Sequence, residues 1–377
     1  MDYDVVVIGA GPGGCASAYY LACAGWRVLL AERRVYPVDK LCGEFWSPEG
    51  VESLKGLGLG PRLVDLPRIE EVLVSSVGGG TWQSRLPGAG CGGSRRLMDT
   101  LLAQRCMEVG VDVRYGLRVR QVAGDLAGGF RVDGDTGAGP WSAKARLVIG
   151  AYGKQGKVAQ PGIAAQPRVP NGLMALKLHL TGQHLMGSLS GRVELHGFPG
   201  GYAGLCPVED GSVNMCLLVQ VEHFKAAGGS PQGLCAGPMR QNPLLAEYLD
   251  SLKPDWGTAL AAANLRFGAF DRGSLLSVGD AATAISPLCG DGMSMALRMA
   301  EILWPLAHQF LNGTQTGAQL VATYRAYCRR EFRVRLGMGR VLQSILLKPG
   351  WTRAILGILR AVPPLGVLAV YLTRGRK

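Results

Sequence analysis

The chain has 377 residues, of which 47% are hydrophobic and 18% charged, so it is long and apolar enough to bury a large core. This composition excludes a disordered or low-complexity chain and predicts two closely joined domains. The formal net charge of +12 is uneven, because residues 311–377 hold twelve Lys or Arg against one acid, which leaves the preceding residues nearly neutral.

The amino terminus and the cysteines bear on the compartment. Residues 1–4 (MDYD) carry no basic group and run straight into an apolar strand, so we expect no cleavable leader. The ten cysteines form no C-x-x-C pair, which predicts reduced thiols and neither a disulfide framework nor a metal site. The five histidines are scattered, and the sequence assigns them no role. We therefore expect a cytoplasmic protein.

The first predicted unit is a strand, a glycine-rich turn, a helix and a second strand. Residues 5–8 are apolar, glycines follow at the G-x-G-x-x-G spacing, and the second strand ends at Glu32. Such glycines permit a tight turn and a close approach to pyrophosphate, while the acid can accept ribose hydroxyls. The unit predicts a dinucleotide site, with an ordinary βαβ crossover as the alternative. The expected contact residues are Gly9, Ala10, Gly11, Pro12, Gly13, Gly14, Glu32 and Arg33.

The following stretch predicts further elements of a cofactor domain. Ser47 is placed as the N-cap of a helix, with Pro48 at its first position. The predicted elements are a helix at 47–57, a strand at 70–77, a glycine-rich loop at 78–93, a helix at 95–109 and strands at 111–115, 117–123, 130–132 and 145–151. We assign residues 1–155 to this domain, with 65–94 as a part that could pack on the second domain.

A second domain is predicted over residues 156–269. Hydrophobic alternation at 173–180 and 192–196, and an Asp-Gly turn at 210–211, indicate an antiparallel sheet. Near Leu275 the chain returns to the cofactor domain, which takes residues 270–310. The fold class expected is α/β (α+β overall), a Rossmann-like domain interleaved with an antiparallel-sheet substrate domain and followed by a helical segment at 311–377.

The return segment carries a second set of cofactor residues. A strand at 275–278 delivers a Gly-Asp pair, and a Pro-x-x-Gly-x-Gly pattern leads into a helix near Met293. The aspartate can bind a ribityl chain, and a helix N-terminus favours the negative charge that a reduced flavin carries along one edge. Together the two segments predict FAD. The residues expected to contact it here are Gly279, Asp280, Pro287, Gly290, Asp291, Gly292 and Met293.

The carboxyl-terminal segment is basic and apolar. Residues 351–372 are strongly apolar, but Arg360 and the Pro363-Pro364 pair interrupt them, which makes a membrane span the weakest interpretation. An interfacial anchor on an anionic membrane fits the alternation of Arg with Leu, Ile and Trp. Helices that only cover the core are the second alternative. A polar groove for nucleic acid is not indicated, so no nucleic-acid partner is expected.

These motifs resemble those of the FAD-dependent family that includes p-hydroxybenzoate-type hydroxylases and geranylgeranyl reductases. The segment 40-KLCGEFWSPEGVESL-54 is similar to the reductases' K-x-C-G element beside the flavin, and 94-SRRLMDTLL-102 to an R-x-x-x-D-x-x-L helix, which implies that Arg95 reaches FAD. The segment 279-GDAATAISPLCGDGMSMAL-297 has Thr283 where hydroxylases often carry His, which favours the reductases. We also count Val119 among the cofactor-binding residues.

The chain departs from the family at two places. Tyr152 replaces the acid of a strand-terminal Asp-Gly, so the sequence leaves the electron donor open between NAD(P)H and a redox protein. The segment 201-GYAGLCPVEDGSVNMCLLV-219 keeps Tyr202 and Pro207 of the reductases' substrate pattern but lacks the aromatic residues between them.

The expected function is that of an FAD-dependent oxidoreductase acting by hydride transfer at a carbon–carbon double bond of a lipophilic substrate, at the cytoplasmic side of a membrane. A flavin monooxygenase for an aromatic or polyketide-like compound is the alternative, and a non-catalytic electron-transfer flavoprotein a weaker one. Cys42 and Glu44 are the candidate catalytic residues, Glu44 as a proton donor. Trp46, Tyr202 and Pro207 are the candidate substrate contacts.

Overall fold

A computed structural model describes residues 1–154, 158–160, 172–182, 189–263 and 275–374. Within these ranges the chain forms two β-sheets and ten α-helices, which confirms the predicted mixed fold class. The predicted domain boundaries near residues 155 and 270 lie outside the described residues.

The first sheet is the core of the cofactor domain, with strand order β6-β2-β1-β9-β8-β7 and β15 paired with β9. Strands β1, β2, β6, β15 and the end of β9 run parallel, while β7 and β8 are antiparallel. Its strands are β1 Tyr3–Ile8, β2 Val28–Glu32, β6 Asp112–Tyr115, β7 Arg118–Asp125, β8 Gly129–Thr136, β9 Gly139–Gly150 and β15 Leu276–Ser277. Val5, Val6 and Val7 of β1 are fully buried because both sheet faces are covered, as in parallel sheets generally.

The second sheet has strand order β14-β10-β13-β12-β11-β4-β5-β3. Its strands are β3 Phe45–Trp46, β4 Arg68–Ser75, β5 Thr81–Gly92, β10 Leu173–Thr181, β11 Gly191–Phe198, β12 Gly201–Pro207, β13 Val213–Gln220 and β14 Lys253–Ala263. The hairpin of β12 and β13 turns at Gly211, as expected. The β11–β4 pair is parallel, so the sheet is mixed, whereas an antiparallel one was expected.

The predicted glycine-rich loop at 78–93 is wrong for most of its length, because residues 81–92 form β5. Its glycines allow the backbone of β5 to pass close to other backbone segments. A Cβ added at Gly90 would lie 2.5 Å from the Trp46 carbonyl oxygen, and one at Gly92 would lie 1.8 Å from that of Pro207. Strands β4 and β5 therefore belong to the second sheet, where glycine allows a strand to pass against neighbouring backbone.

The two faces of the second sheet have different neighbours, which follows from the two-residue period of its strands. On β10, Leu176, Leu178 and Leu180 join an outer apolar cluster with the helices after β13. The alternate residues of β10, including Lys177 and His179, point to the opposite face. We call this opposite face the inner face, because it lies toward the cofactor domain.

The helices complete both layers. They are α1 Pro12–Cys23, α2 Pro48–Gly56, α3 Arg95–Glu108, α4 Val221–Ala226, α5 Pro231–Ala236, α6 Pro243–Ser251, α7 Gly292–Leu311, α8 Gly317–Leu346, α9 Pro349–Ala361 and α10 Pro363–Leu372. Helix α8 begins with a capping box between Thr316 and Gln319. Among the described residues no single helix is long and apolar enough to cross a bilayer, but α9 and α10 pass that test as a pair bent by 114°.

Candidate active site

The turn between β1 and α1 has the geometry that its glycines predict. Gly9 has φ +107°, and a Cβ there would lie 2.4 Å from the Ala151 carbonyl oxygen. A Cβ at Gly14 would lie 1.9 Å from the Gly9 carbonyl oxygen, so α1 rests directly on the turn. Gly11 is the N-cap of α1, and no side chain caps its amides. The first-turn amides of α1 are thus available to an anion.

Glu32 ends β2 beside this turn. Its Oε2 accepts a hydrogen bond from the Ala10 amide at 2.9 Å, and its Oε1 accepts one from the Arg34 amide at 3.0 Å. The Tyr36 hydroxyl donates to the Ala10 carbonyl oxygen at 2.8 Å. The Tyr36 hydroxyl also lies 3.3 Å from Glu32 Oε2, so Oε1 is the oxygen with room for a second hydrogen bond, from a ribose hydroxyl.

Arg95 is brought to the same turn by an ion-pair cluster. Its guanidinium donates to both oxygens of Asp99, one turn later on α3, at 2.9 and 2.8 Å, and Lys40 Nζ lies 2.8 Å from Asp99. Burial alone raises the pKa of Asp99, but Arg95 and Lys40 outweigh it and hold this pKa below its ordinary value. Arg95 Nη2 lies 3.6 Å from a Cβ built on Gly11. The R-x-x-x-D spacing therefore fixes a cation over the dinucleotide turn.

The second cofactor segment lies opposite, between β15 and α7. The Asp280 carboxylate is partly exposed and lies 3.7 Å from Lys154 Nζ. Gly290 has φ +58°, and a Cβ there would lie 2.9 Å from the Phe45 ring. Pro287 and Gly292 are half-buried, and Met293 in the first turn of α7 is buried. These positions fit a flavin edge against the start of α7.

The Asp291 carboxylate is fully buried and is held by other side chains, which leaves the predicted cofactor contact of Asp291 to its backbone amide. Its Oδ1 accepts a hydrogen bond from Ser47 Oγ at 2.8 Å, and its Oδ2 accepts one from Arg335 of α8 at 3.0 Å. Arg335 also donates to both oxygens of Glu49, at 2.6 and 3.1 Å. Ser47 precedes α2 as predicted, but its side chain does not cap that helix, because it is used by Asp291.

Cys42 lies between the two cofactor segments. Its sulfur is 3.5 Å from the Met293 sulfur and accepts a hydrogen bond from the Glu44 amide at 3.4 Å. The Cys42 carbonyl oxygen accepts one from Asn214 of β13 at 3.1 Å, which ties this loop to the inner face. Cys42 is partly exposed as a residue.

Glu44 is wholly buried, and its carboxylate has three partners. Its Oε1 accepts hydrogen bonds from Lys177 Nζ at 2.7 Å and from the Arg95 amide at 2.8 Å. His179 Nε2 lies 2.8 Å from its Oε2. Glu44 is the single non-glycine residue of the described part of the chain with positive φ, at 56°. Such a conformation costs about 1–3 kcal/mol and persists where neighbouring contacts enforce it.

The candidate substrate residues have different positions. Trp46 is fully buried and its indole donates to the Gly93 carbonyl oxygen at 3.0 Å, so it offers no surface to a substrate, contrary to the prediction. Tyr202 lies in an apolar cluster on the inner face, and its hydroxyl accepts a hydrogen bond from the Leu288 amide at 3.1 Å. Pro207 is buried at the crossing of β12 and β5.

Two predicted cofactor contacts lie at the edge of this arrangement. Val119 is buried in β7, in the apolar cluster on the far side of the first sheet. Val119 is 6% exposed, so little of its surface is open to a dinucleotide. Arg33 directly follows β2 and is exposed.

The sequence prediction missed Lys177, His179, Asn214, Arg335 and Arg374. A signal for the first two is present, since Lys177 and His179 are the polar residues of the otherwise apolar run 173–180 and share one face of a strand. Arg374, after α10, is half-buried and donates to the Cys289 carbonyl oxygen at 2.7 Å. Among the many basic residues of the tail nothing distinguishes Arg335 or Arg374. The helical tail therefore braces the cofactor loop as well as adding charge.

The residues fit FAD. The open glycine turn and Arg95 suit a pyrophosphate, Glu32 a ribose, and the Gly290–Met293 stretch a flavin ring beside Cys42. A bound flavin would supply the two-electron chemistry. The residues of the protein would orient a substrate between Cys42 and the inner face and would transfer a proton there.

Comparison with known proteins agrees with this site. The family described as FAD binding domain matches residues 2–334. Digeranylgeranylglycerophospholipid reductase 2 of Methanopyrus kandleri is 26% identical over 344 residues, covering 88% of this chain and 83% of that protein. Menaquinone reductase of Mycobacterium tuberculosis is 26% identical over 349 residues, covering 84% and 83%. The prediction of FAD is confirmed.

Solved structures confirm the fold. A flavin-dependent brominase superposes with a TM-score of 0.82 at 16% identity, covering 99% of this chain and 93% of that one. The monooxygenase-like PqsL of P. aeruginosa, solved with 2-aminobenzoylacetate, gives 0.72 at 17% identity, covering 93% and 98%. At such identities the likeness speaks for the fold alone.

Proposed function

The chain belongs to the family of FAD-binding-domain proteins and is an FAD-dependent oxidoreductase, and from that premise we propose that it reduces a carbon–carbon double bond of a lipophilic substrate. The main observation behind this proposal is a row of three half-exposed residues across the inner face. The row consists of Cys216, Gly204 and Leu195. Leu41 and Leu288 are half-buried beside the neighbouring apolar row of Tyr202 and Leu218. An apolar wall next to a thiol and a flavin edge suits an extended hydrocarbon.

The names of the relatives support this class of substrate. Digeranylgeranylglycerophospholipid and menaquinone, named for two reductases similar to this chain, are lipophilic molecules. A polar substrate would leave the leucine wall in contact with water and gain no hydrogen bonds from it. We therefore propose a hydrocarbon chain as the part of the substrate that lies along the inner face.

The proposal predicts that a lipophilic acceptor reoxidises the reduced flavin without oxygen. The full-length protein, reduced anaerobically, is mixed with menaquinone in detergent micelles or with a total lipid extract, and the return of oxidised-flavin absorbance is followed. We expect reoxidation with a product that is two hydrogen atoms heavier in its isoprenoid chain and that keeps this mass after the quinone ring has been reoxidised in air. Cys42→Ala should slow product formation by about tenfold or more if the thiol donates a proton, with flavin reduction unchanged.

The monooxygenase alternative rests on the fold shared with a brominase and PqsL. It predicts the opposite result in the same experiment. Reoxidation would then require oxygen, lipid acceptors would have no effect, and a product would gain an oxygen atom. A flavin that is reduced and reoxidised with no change in any small molecule would instead favour an electron-transfer protein.

We also propose that the enzyme binds the surface of an anionic membrane through α9 and α10, on the cytoplasmic side. These helices expose large apolar side chains, with Trp351 62%, Leu368 53% and Tyr371 58% accessible. Residues 349–374 contain three arginines and no acid. Exposed apolar area together with positive charge and no counter-charge matches an anionic lipid interface better than a protein core.

Vesicle co-sedimentation tests this membrane proposal. The protein should partition onto vesicles of phosphatidylcholine with phosphatidylglycerol more than onto phosphatidylcholine alone. Ile358→Asp with Leu368→Asp should weaken binding by about tenfold or more, because each loses roughly 1.5–3 kcal/mol of apolar burial. Val64→Asp changes a still more exposed apolar residue elsewhere and should have no effect. Equal partition of both variants would contradict the proposal.

A further inference from the structure

Three titratable side chains form a row through the interior beside Cys42. Lys177 Nζ, His179 Nε2 and the Glu44 carboxylate are in direct contact, at 2.7 Å for lysine and 2.8 Å for histidine. Lys177 has no exposed surface, and its second partner is Asp39 Oδ1 at 3.3 Å. Buried cations of this kind are expensive to maintain, so their presence calls for a reason beyond packing.

The two ends of this row of side chains, His179 and Lys177, lie near different parts of the protein. His179 and Asp39 line a depression of about 220 Å³ on the surface. Three further acids, Glu209, Asp210 and Asp255, also line this depression. Glu44 and Lys177 are not part of its wall. Lys177 faces Cys216 across the β10–β13 pair, and Cys216 is half-exposed.

The end of this row that is opposite the depression reaches the wall that holds Cys42. Burial raises the pKa of the Cys216 thiol to about 12, with Cys42 adding to the rise and Lys177 opposing it. The Glu44 amide binds the Cys42 sulfur directly. The left-handed backbone at Glu44 is what lets one residue contact Cys42 with its amide and both basic groups with its carboxylate.

A metal ion is the competing explanation of the cluster. Asp39, Glu44 and His179 have ligand atoms within 4.8 Å of one another. The Lys177 ammonium, however, already contacts both of these carboxylates, so the charge that a cation would supply is present. A second positive charge at this place would be repelled by it.

We propose that His179, Glu44 and Lys177 form a proton path from the surface depression to the Cys42–Cys216 wall, an inference that rests on the proposed reductase function. Reduction of a double bond breaks the π bond and forms two C–H bonds, one with a hydride from the reduced cofactor and one with a proton. The substrate is reduced, the cofactor is oxidised, and one proton is drawn from solvent. A hydrocarbon filling the site excludes water, so this proton must arrive through the protein.

The test uses proton uptake during flavin reduction while a saturated isoprenoid hydrocarbon, phytane in detergent micelles, fills the site, so that water is excluded but no double bond is reduced. Product formation from an unsaturated lipid tests the proposed function separately. The holoenzyme is mixed in a stopped-flow instrument with reduced methyl viologen, in weak buffer with a pH-indicator dye. In the wild type, proton uptake should keep pace with flavin bleaching. In His179→Gly it should lag by about tenfold or more, and added imidazole should restore it through the depression.

Two further variants complete the experiment. His179→Gln keeps a hydrogen-bond donor near Glu44 but cannot pass a proton, so it should lag without a change in melting temperature or flavin content. His223→Gln makes the same substitution on α4, outside the path, and should behave as wild type. Uptake that keeps pace in both His179 variants, or a lag that imidazole does not shorten, would overturn the path.

Discussion

Gly14→Ala is expected to produce a protein that no longer retains FAD. The new Cβ would lie 1.9 Å from the Gly9 carbonyl oxygen and 3.0 Å from the Ala151 side chain. Both Gly9 and Gly14 belong to the dinucleotide turn, and a backbone oxygen cannot move aside without displacing α1 from β1. We expect a loss of stability on the order of 3 kcal/mol, as for overpacked cores, together with loss of the pyrophosphate geometry.

The measurement is the ratio of flavin to protein absorbance after gel filtration, combined with thermal unfolding. Gly137→Ala is the matched control, since no heavy atom lies within 4 Å of its added Cβ. The control should keep the wild-type flavin content and melting temperature. Stoichiometric FAD in Gly14→Ala would show that the turn is not the phosphate site.

Arg335→Met is expected to destabilise the protein and to loosen the cofactor. Arg335 is 3% exposed and holds two buried carboxylates, Glu49 and Asp291. Removing one partner of a buried ion pair costs about 3–5 kcal/mol, because the remaining charge is left without compensation. Asp291 sits between Gly290 and the first residue of α7, so the loop against the flavin should lose its brace, and FAD content should fall.

The loss of stability in Arg335→Met should depend on pH. Burial raises the pKa of Glu49, while Arg335 opposes that rise. In Arg335→Met, the guanidinium no longer opposes the rise in the pKa of Glu49. A carboxyl whose pKa is higher in the folded than in the unfolded protein makes the folded protein less stable as pH increases. Denaturant unfolding should therefore show a larger deficit at pH 8 than at pH 5. A deficit that does not change between these pH values would contradict this account.

Arg333→Met provides the control for Arg335. It is exposed on the same helix two residues away, so it removes the same charge without leaving a buried carboxylate. We expect changes within about 0.5 kcal/mol, as for ordinary surface substitutions. Equal losses in the two variants would assign the effect to net charge and not to the buried cluster.

The dinucleotide turn could be predicted from the sequence because its physics is local. Gly9, Gly11 and Gly14 act within a few residues of one another, and Glu32 ends the strand next to the one that leads into the turn. The R-x-x-x-D spacing likewise places Arg95 one helical turn from Asp99, where the two must meet. These elements, and FAD with them, needed no knowledge of the rest of the fold.

The substrate side was decided only by tertiary structure. Residues 81–92 have many glycines and resemble a loop until their crossings with Trp46 and Pro207 are known. Trp46 in a motif near the flavin is compatible with a pocket, but it points into the core. A linear pattern records which residues are small or aromatic, and it does not record which distant backbone passes beside them.

The buried ionic groups show the same division. Lys177 and Glu44 are 133 positions apart, and Arg335 and Glu49 are 286 apart. Neither pair leaves a periodic signal, because each partner depends on the docking of one domain or helix against another. The sequence by itself therefore determined the cofactor and the local turn that binds it, through contacts between neighbours in the chain. Which charges are buried beside that cofactor was decided by long-range packing, since only packing brings these side chains together and excludes water from them.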